Sequence, residues 1–168
     1  MADFKTRKMI ANGIFLSKLS FMISSWGSCP NYLINSLQVI QNKVLRIVTR
    51  NDWTVRTNEN LKQLGWLSVN QRVHFFDILM LHQVKNDKTP QNLYNMYDWS
   101  YSHQTRQASS EVIKPAGTPK LEISKRSFRW RASESYNKLP NYITKINDIL
   151  KFKEEVKSWI ISSVPIRR

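Results

Sequence analysis

The chain has 168 residues, and 26 of them are Lys or Arg against 12 that are Asp or Glu, which gives a formal net charge of +14. A chain of this length buries roughly 68–70% of its unfolded surface, so one packed domain, or one and a half, is expected. An apolar fraction of 41% excludes a wholly disordered chain. Such an excess of positive charge repels itself, which favours a polyanionic partner such as nucleic acid over an ordinary basic surface.

The cysteine content and the hydropathy pattern indicate the compartment. Cys29 is the sole cysteine, so an internal disulfide and a cysteine metal cluster are excluded, and a reducing intracellular setting, nuclear or cytoplasmic, is expected. The start "FKTRKM" has the basic character of a transit peptide, which leaves a mitochondrial location open, although Asp3 disfavours it. The longest apolar-rich stretch, at 13–26, is interrupted by Lys18 and is too short to span a membrane.

Apolar periodicity predicts helices through the first half of the chain. Residues 5–26 have an imperfect helical pattern, and residues 33–48 have a clear amphipathic one. The side chains expected to face inward are Ile10, Ile14, Leu19, Phe21 and Ile23 in the first helix, and Leu33, Leu37, Ile40, Val44, Ile47 and Val48 in the second. On the second helix, Lys43, Arg46 and Arg50 share one edge of the polar face.

Capping signals set the ends of the next two helices. Thr57 is the expected N-cap of a short helix that stops at Gly65. Ser68 and Gln71 form a predicted capping box, which opens a long central helix that runs to about Asn86.

A change of composition suggests how the chain is divided. Residues 99–118 are rich in Ser, Gln, Thr and Pro and have few large apolar side chains, which predicts a linker. Residues 1–98 then form a helical domain, and residues 119–168 form a small C-terminal segment.

The C-terminal segment has a mixed pattern. "KLEIS" and "SFRWR" alternate with period two and predict two short strands, which form a hairpin around Lys125. A short helix is predicted at 132–139 and a longer helix at 148–162. The expected fold is therefore mainly α: a helical bundle followed by a smaller α+β segment with a short hairpin and a C-terminal helix.

No pattern typical of an active site or a metal centre is present in the sequence. His74 and His82 lie eight positions apart on the central helix, too far to share a metal, and with His103 they complete the histidines. His74 and Asp77 are spaced like a base and its orienting carboxylate, but a local surface hydrogen bond is the commoner use of that spacing. Because acidic residues are scattered and a glycine-rich phosphate loop is missing, we expect no catalytic residue, no metal site, no cofactor and no enzymatic activity.

Two sets of basic residues are candidates for contact with nucleic acid. The first set is Lys43, Arg46 and Arg50, and the second set is Lys120, Lys125, Arg126, Arg129 and Arg131. In a strand, Phe128 and Trp130 would share one face, with Arg129 and Arg131 on the other. We expect the aromatic side chains to be buried, because a small segment needs large core residues, and the arginines to be free to grip phosphates. The alternative for both sets is a solvated surface without a partner.

Six segments, taken in order, resemble a known family. They are "IANGIFLSKLSFMISSWGSC", "LINSLQVIQNKVLRIVT", "LKQLGWLSVNQRV", "HQTR", "SFRWRASESYNKLP" and "FKEEVKSWI". Together they resemble the C-terminal region of polyproteins from non-LTR retrotransposons, of the LINE type and jockey-like, where this region follows the palm of the reverse transcriptase. The resemblance extends over residues 5–160.

The resemblance implies a role without implying an active site. Residues up to Asn86 are similar to the helical thumb, which grips template–primer duplex through its backbone, and the remainder resembles the C-terminal segment of the polyprotein. The palm aspartates and the endonuclease fall outside the resemblance, so no catalytic residue is carried over. Lys43, Arg46 and Arg50 lie in the thumb-like part, which makes this set the best inherited candidate for backbone contact. A start at Met1 fits a truncated reading frame, a domesticated remnant or a piece of a longer polymerase.

Two functions from different classes follow from these patterns. The first is a non-catalytic protein that binds RNA or an RNA–DNA hybrid, mainly through backbone phosphates. The second is a structural or protein-interaction subunit, recruited from a retrotransposon remnant into a larger assembly, in which the charge is incidental.

Overall fold

The computed structural model describes residues 2–99, 112–118 and 121–163, and the structural statements below concern these residues. The mainly α class is confirmed, with a small antiparallel sheet of two strands and a C-terminal helix. By their contacts the described residues form two compact units, one ending at Val73 and the other running from His74 to Ser163. The predicted linker lies largely outside the described residues, so the predicted three-part division stays a prediction.

The first unit contains helices of very different lengths. They are α1 (Phe4–Ala11), a π-helical turn (Asn12–Leu16), α2 (Ser17–Ser20), α3 (Ile23–Trp26), α4 (Asn31–Thr49), α5 (Thr57–Leu64) and the beginning of α6 (Val69–Lys85). The core of this unit is a cluster of Ala11 from α1, Leu45 and Val48 from α4, and Leu61, Leu64 and Trp66 from α5 and the residues after it.

The predicted helix over 5–26 is wrong as a single element. The Ser17 hydroxyl donates to the Gly13 carbonyl within the π-helical turn, and Met22 adopts the left-handed region at φ +47°, which separates α2 from α3. Helical ladders are locally disturbed where a serine bonds back to the preceding turn. Leu19 and Ile23 are buried as expected, whereas the other three predicted inward residues, Ile10, Ile14 and Phe21, are exposed.

Helix α4 confirms the long amphipathic helix but corrects its orientation. Ile34, Leu45 and Val48 are buried, whereas the predicted inward residues Leu33, Ile40 and Ile47 are exposed. Gln41 is fully buried instead, and its Nε2 donates to the Leu67 carbonyl at 2.9 Å. Apolar residues cover more of the α4 surface than its neighbours can bury, so the packing partner decides which of them become core.

The capping signals give mostly accurate helix ends. The Ser68 hydroxyl accepts from the Gln71 backbone N–H at 3.3 Å while the Gln71 side chain accepts from the Ser68 N–H at 3.1 Å, which confirms the capping box. Gly65 follows α5 at φ +66°, as predicted for a helix stop. Thr57 is the first residue of α5 rather than its N-cap, a difference of one position.

The second unit combines the rest of α6 with short helices, two strands and a long helix. These elements are α7 (Gln91–Tyr94), β1 (Tyr97–Asp98), β2 (Lys114–Pro115), α8 (Glu122–Lys125), α9 (Phe128–Asn137), α10 (Asn141–Thr144) and α11 (Ile149–Ser163). The strands pair antiparallel with Tyr97 opposite Pro115 and Asp98 opposite Lys114. The most deeply buried side chains come from α6, α9, α10 and α11: Ile78, Leu81, Val84, Ala132, Tyr136, Ile143, Phe152, Val156 and Ile160.

The predicted hairpin around Lys125 is wrong. "EISK" of the first predicted strand forms α8, and "FRWR" of the second opens α9. Five alternating residues cannot distinguish a strand from the first turn of a helix, because so short a segment covers little more than one helical period. The helix is favoured because it buries Ala132 and Tyr136, four positions apart, on one face. Phe128 and Trp130 are half-buried, not fully inside as expected.

Candidate nucleic-acid interface

The first predicted basic set lies on the exposed surface of α4. Lys43, Arg46 and Arg50 are all exposed, and Arg50 ends the helix in the left-handed conformation at φ +58°. Among the described residues, none of the three forms an ion pair or a side-chain hydrogen bond. Their charges are therefore not neutralised by partners in the first unit.

The sequence before this set contains a long stretch without acidic residues. Between Asp3 and Asp52, over residues 4–51, the chain has neither Asp nor Glu, although this stretch includes α1, α2, α3 and the whole of α4. The same stretch contains seven basic residues: Lys5, Arg7, Lys8, Lys18, Lys43, Arg46 and Arg50. Helices α1 to α4 thus form a region of one sign of charge, which raises the local concentration of an anionic partner.

Tertiary packing brings a basic residue of α1 to the C-terminal end of α4. The Arg7 Nε donates to the Val48 carbonyl at 3.0 Å, and its Nη1 donates to the Ala2 carbonyl at 2.6 Å. Val48 lies in the last turn of α4, so the Arg7 guanidinium binds at the C-terminal end of the helix that also contains Arg46 and Arg50. A cation there also stabilises the free carbonyl groups of the last turn. Sequence reasoning missed Arg7, because nothing local predicts a contact across 41 positions.

Exposed apolar side chains are interleaved with the basic set on α4. Tyr32, Val39, Ile40 and Ile47 are 67%, 54%, 48% and 69% exposed. This face of α4 is consequently neither uniformly polar nor part of the core of the first unit.

The second predicted basic set has a different environment. Lys120 lies outside the described residues. Lys125 and Glu122 form an exposed ion pair on α8, and the hydrogen bond from Lys125 lowers the pKa of the Glu122 carboxyl. Arg126 is exposed, and Arg129 is half-buried. The basic character of this set is thus partly cancelled by its own neighbours.

Arg131 forms a buried ion pair with Asp77. Its Nε and Nη2 donate to the two carboxylate oxygens of Asp77, with 3.1 Å between Nη2 and Oδ1, and its Nη1 donates to the Arg126 carbonyl at 2.9 Å. The Arg131 side chain is 13% exposed and that of Asp77 is fully buried. The predicted outward orientation of Arg131 is therefore wrong, because helix α9 directs this guanidinium to α6.

The histidines of α6 occupy structural positions in the second unit. His74 Nδ1 lies 2.8 Å from the Ser135 hydroxyl. Asp77, the carboxylate predicted to orient His74, accepts hydrogen bonds from Arg131. His82 is 3% exposed and stacks on Phe152 with 3.7 Å between ring centroids. Burial, with smaller effects from two nearby lysines, lowers the pKa of His82 to about 4. His103 lies outside the described residues.

The described residues contain neither a candidate metal-ligand cluster nor a candidate membrane-spanning helix. The described ranges contain no group of three or more His, Cys, Asp or Glu side chains that could hold a metal ion. Nor does any helix within them combine the length and apolarity needed to cross a bilayer.

Comparisons with known proteins find no match: no protein-family model, no curated protein and no solved structure matches the chain. The relation to non-LTR retrotransposons stays a hypothesis that depends on the sequence segments alone.

Proposed function

We propose that the chain is a non-catalytic nucleic-acid-binding protein that holds RNA or an RNA–DNA hybrid through phosphate contacts from α4. The supporting observation is the set Lys43, Arg46 and Arg50, which is exposed and without ion pairs among the described residues, in a stretch that lacks acidic residues. Free cations on a regular scaffold are the groups that neutralise a phosphate backbone and displace its counterions.

The spacing of the set suits a strand of nucleic acid. Lys43 and Arg50 are seven residues apart on a helix, which corresponds to about 10 Å along its axis. Each strand of a duplex carries one phosphate per roughly 3.4 Å of axis, so this distance covers about three phosphates. Contacts of this kind position the nucleic acid without reading its sequence. The same residues lie in the segment that resembles the thumb of retrotransposon polymerases, which is a second, independent support.

A salt titration tests this proposal. For the intact chain and a short RNA–DNA hybrid, log affinity should fall with log salt, by roughly 0.7 to 0.9 units per neutralised phosphate. Replacement of the set by K43Q, R46Q and R50Q should flatten the slope by about two to three units. A fluorescence anisotropy titration at several salt concentrations measures both slopes.

The matched control removes three charges from another helix. K151Q, K153Q and K157Q take the same charge from α11, where Glu154 and Glu155 are adjacent, and should leave the slope within about half a unit of the parent. Equal slopes for the α4 variant and the parent would exclude this surface. Absence of binding near physiological salt would overturn the proposal as a whole.

A second function is favoured by the apolar side chains on the same helix. We propose, as the alternative, that α4 docks on another protein, because Val39, Ile40 and Ile47 are solvent-exposed beside the basic residues. Exposed apolar clusters with a polar rim are typical of protein interfaces. The double variant V39S and I47S distinguishes the two functions. If α4 binds nucleic-acid phosphates, this variant should leave the salt slope unchanged. If α4 docks on a protein, the variant should abolish the protein–protein complex.

A further inference from the structure

The N-terminal helical segment of the first unit exposes several large apolar side chains. α1, the π-helical turn and α2 follow one another without a break, because Ala11, Leu16 and Ser17, which join them, all have right-handed helical backbone. The inner side of this segment includes the buried Ala11 and Leu19 and the half-buried Phe15, spaced four residues apart. The outer apolar set, with each side chain between 51% and 70% exposed, consists of Met9, Ile10, Ile14, Phe21 and Met22.

The last two members of this set lie at a sharp corner of the backbone. Phe21 is extended at ψ 124°, and Met22 follows in the left-handed region at φ +47°, which a residue with a Cβ seldom adopts. Trp26 holds the corner, since its Nε1 donates to the Phe21 carbonyl at 2.9 Å and its backbone N–H donates to the Met22 carbonyl at 3.2 Å. Two adjacent apolar side chains are thus held in solvent by a strained backbone, a feature found more often at binding sites than elsewhere.

The charged residues beside the outer apolar set are basic. Lys5 and Lys18 are exposed, and neither forms an ion pair within the described part of the chain. Asp3 is the one acidic residue among the first 51, and its carboxylate caps α1 by accepting from the Thr6 backbone N–H at 2.9 Å. A partner that covers this surface must therefore combine apolar groups with negative charge.

The distribution of the apolar side chains favours a lipid surface over an acidic protein. Lys5 and Phe21 are 16 residues apart, which corresponds to about 24 Å along a helix, and the apolar side chains are spread over that length. A lipid surface accepts apolar side chains at any spacing and presents phosphate headgroups to lysines at its boundary. A protein partner would need a separate complementary pocket for each side chain and a carboxylate near each lysine.

We propose that the outer apolar set binds an anionic lipid surface, with Phe21 and Met22 inserted among the acyl chains and with Lys5 and Lys18 at the phosphate headgroups. The segment lies in the plane of the lipid–water interface and does not span the bilayer. This interaction does not depend on the phosphate contacts proposed for α4, because it requires none of the residues of that basic set.

Sedimentation of the full chain with lipid vesicles tests the proposal. Vesicles of phosphatidylcholine that contain about a third phosphatidylserine should bind the chain at least tenfold more tightly than vesicles of phosphatidylcholine alone. The double variant F21Q and M22N should weaken binding to the anionic vesicles by about tenfold or more. Asn tolerates the left-handed conformation, so M22N removes the apolar side chain without breaking the corner. K18Q should weaken binding by about fivefold.

The matched control is L150Q with I161Q, which removes two exposed apolar side chains from α11 and should leave vesicle affinity unchanged. Circular dichroism of each variant checks that the fold is retained. F21Q with M22N removes no charge, so the salt slope for the RNA–DNA hybrid should equal that of the parent, which separates this surface from α4.

Three results would overturn the proposal. Absence of binding to the anionic vesicles at low salt would leave a protein as the partner of the outer apolar set. Equal affinities of the parent and of F21Q with M22N would show that charge alone attracts the chain to lipid. An equal loss of affinity in the α11 control would show that the effect is not specific to this segment.

Discussion

At the scale of single residues, Arg131 shows that the same amino acid serves different purposes in one basic protein. Its guanidinium donates to both oxygens of a carboxylate that is fully buried, while the guanidiniums of Arg46 and Arg50 have no such partner among the described residues. A charge that is largely buried and paired with a carboxylate attracts a phosphate far less than an exposed, unpaired one does. The number of basic residues therefore overstates the number of groups available to a polyanion.

Removal of Arg131 should destabilise the fold strongly. R131M leaves the Asp77 carboxylate buried with its principal charged partner removed, which costs about 3 kcal/mol of unfolding free energy. Urea unfolding followed by circular dichroism measures the difference. The control is K138M, which breaks an exposed pair with Glu134 and should cost about 0.5 kcal/mol or less. Similar values for the two variants would contradict the structural role of the Arg131 pair.

His82 should make the stability of the fold depend on pH. Its pKa is about 4 in the folded chain, lowered by burial and then by Lys85 and Lys88, against 6.5 for an ordinary histidine. Between these values the unfolded chain binds a proton that the folded chain does not, so the free energy of unfolding decreases as the pH falls from about 6.5 to 4. H82F keeps an aromatic ring against Phe152 and removes this titration.

Urea unfolding of parent and H82F at closely spaced pH values compares the two curves. The free energy of unfolding should fall more steeply with decreasing pH for the parent than for H82F over this window. The difference in slope corresponds to the uptake of about one additional proton when the parent unfolds. Parallel curves for the two proteins would show that His82 is protonated to the same extent in both states.

At the scale of elements, two glycines illustrate how backbone conformation decides the effect of one methyl group. Gly65 ends α5 at φ +66°, whereas Gly13 lies in the π-helical turn without a positive φ, and a Cβ at either position meets no atom within 4 Å. G65A should therefore destabilise the chain by about 1 kcal/mol through backbone strain alone. G13A should stabilise it by about 0.5 kcal/mol, because Ala loses less conformational freedom in a helix.

Thermal or urea unfolding of the two alanine variants measures these effects with opposite signs. Each variant is the control for the other, because the chemical change is the same and the space around both sites is open. Changes of the same sign would contradict the assignment of strain to Gly65.

The elements also show which local signals predict structure and which do not. The Ser68–Gln71 capping box and the stop at Gly65 were predicted from the sequence because the groups involved are within four residues of each other. The "SFRWR" segment was predicted as a strand, since five alternating residues are consistent with either period. Only the burial of Ala132 and Tyr136 and the attachment of Arg131 to α6 favour the helix.

At the scale of the whole molecule, basic and acidic residues are unevenly distributed along the chain. Both described units contain basic residues, but α1 to α4 lie in a stretch without acidic residues, whereas α8, α9 and α11 include glutamates. The proposed phosphate-binding surface is defined within the first unit. It can therefore be tested by substitutions in that unit alone, with matched charge changes in the second unit as the control.

The sequence by itself determined the mainly helical class, the amphipathic α4, the capping of α6 and the candidate set Lys43, Arg46 and Arg50. These features depend on composition, periodicity and contacts within one or two turns, which the sequence contains directly. The tertiary structure alone decided that Leu33, Ile40 and Ile47 face solvent and that Arg131 is paired. It also brought Arg7 to the end of α4. The physical reason is that burial and charge pairing depend on residues 26 to 61 positions apart, as between Gln41 and Leu67 or His74 and Ser135.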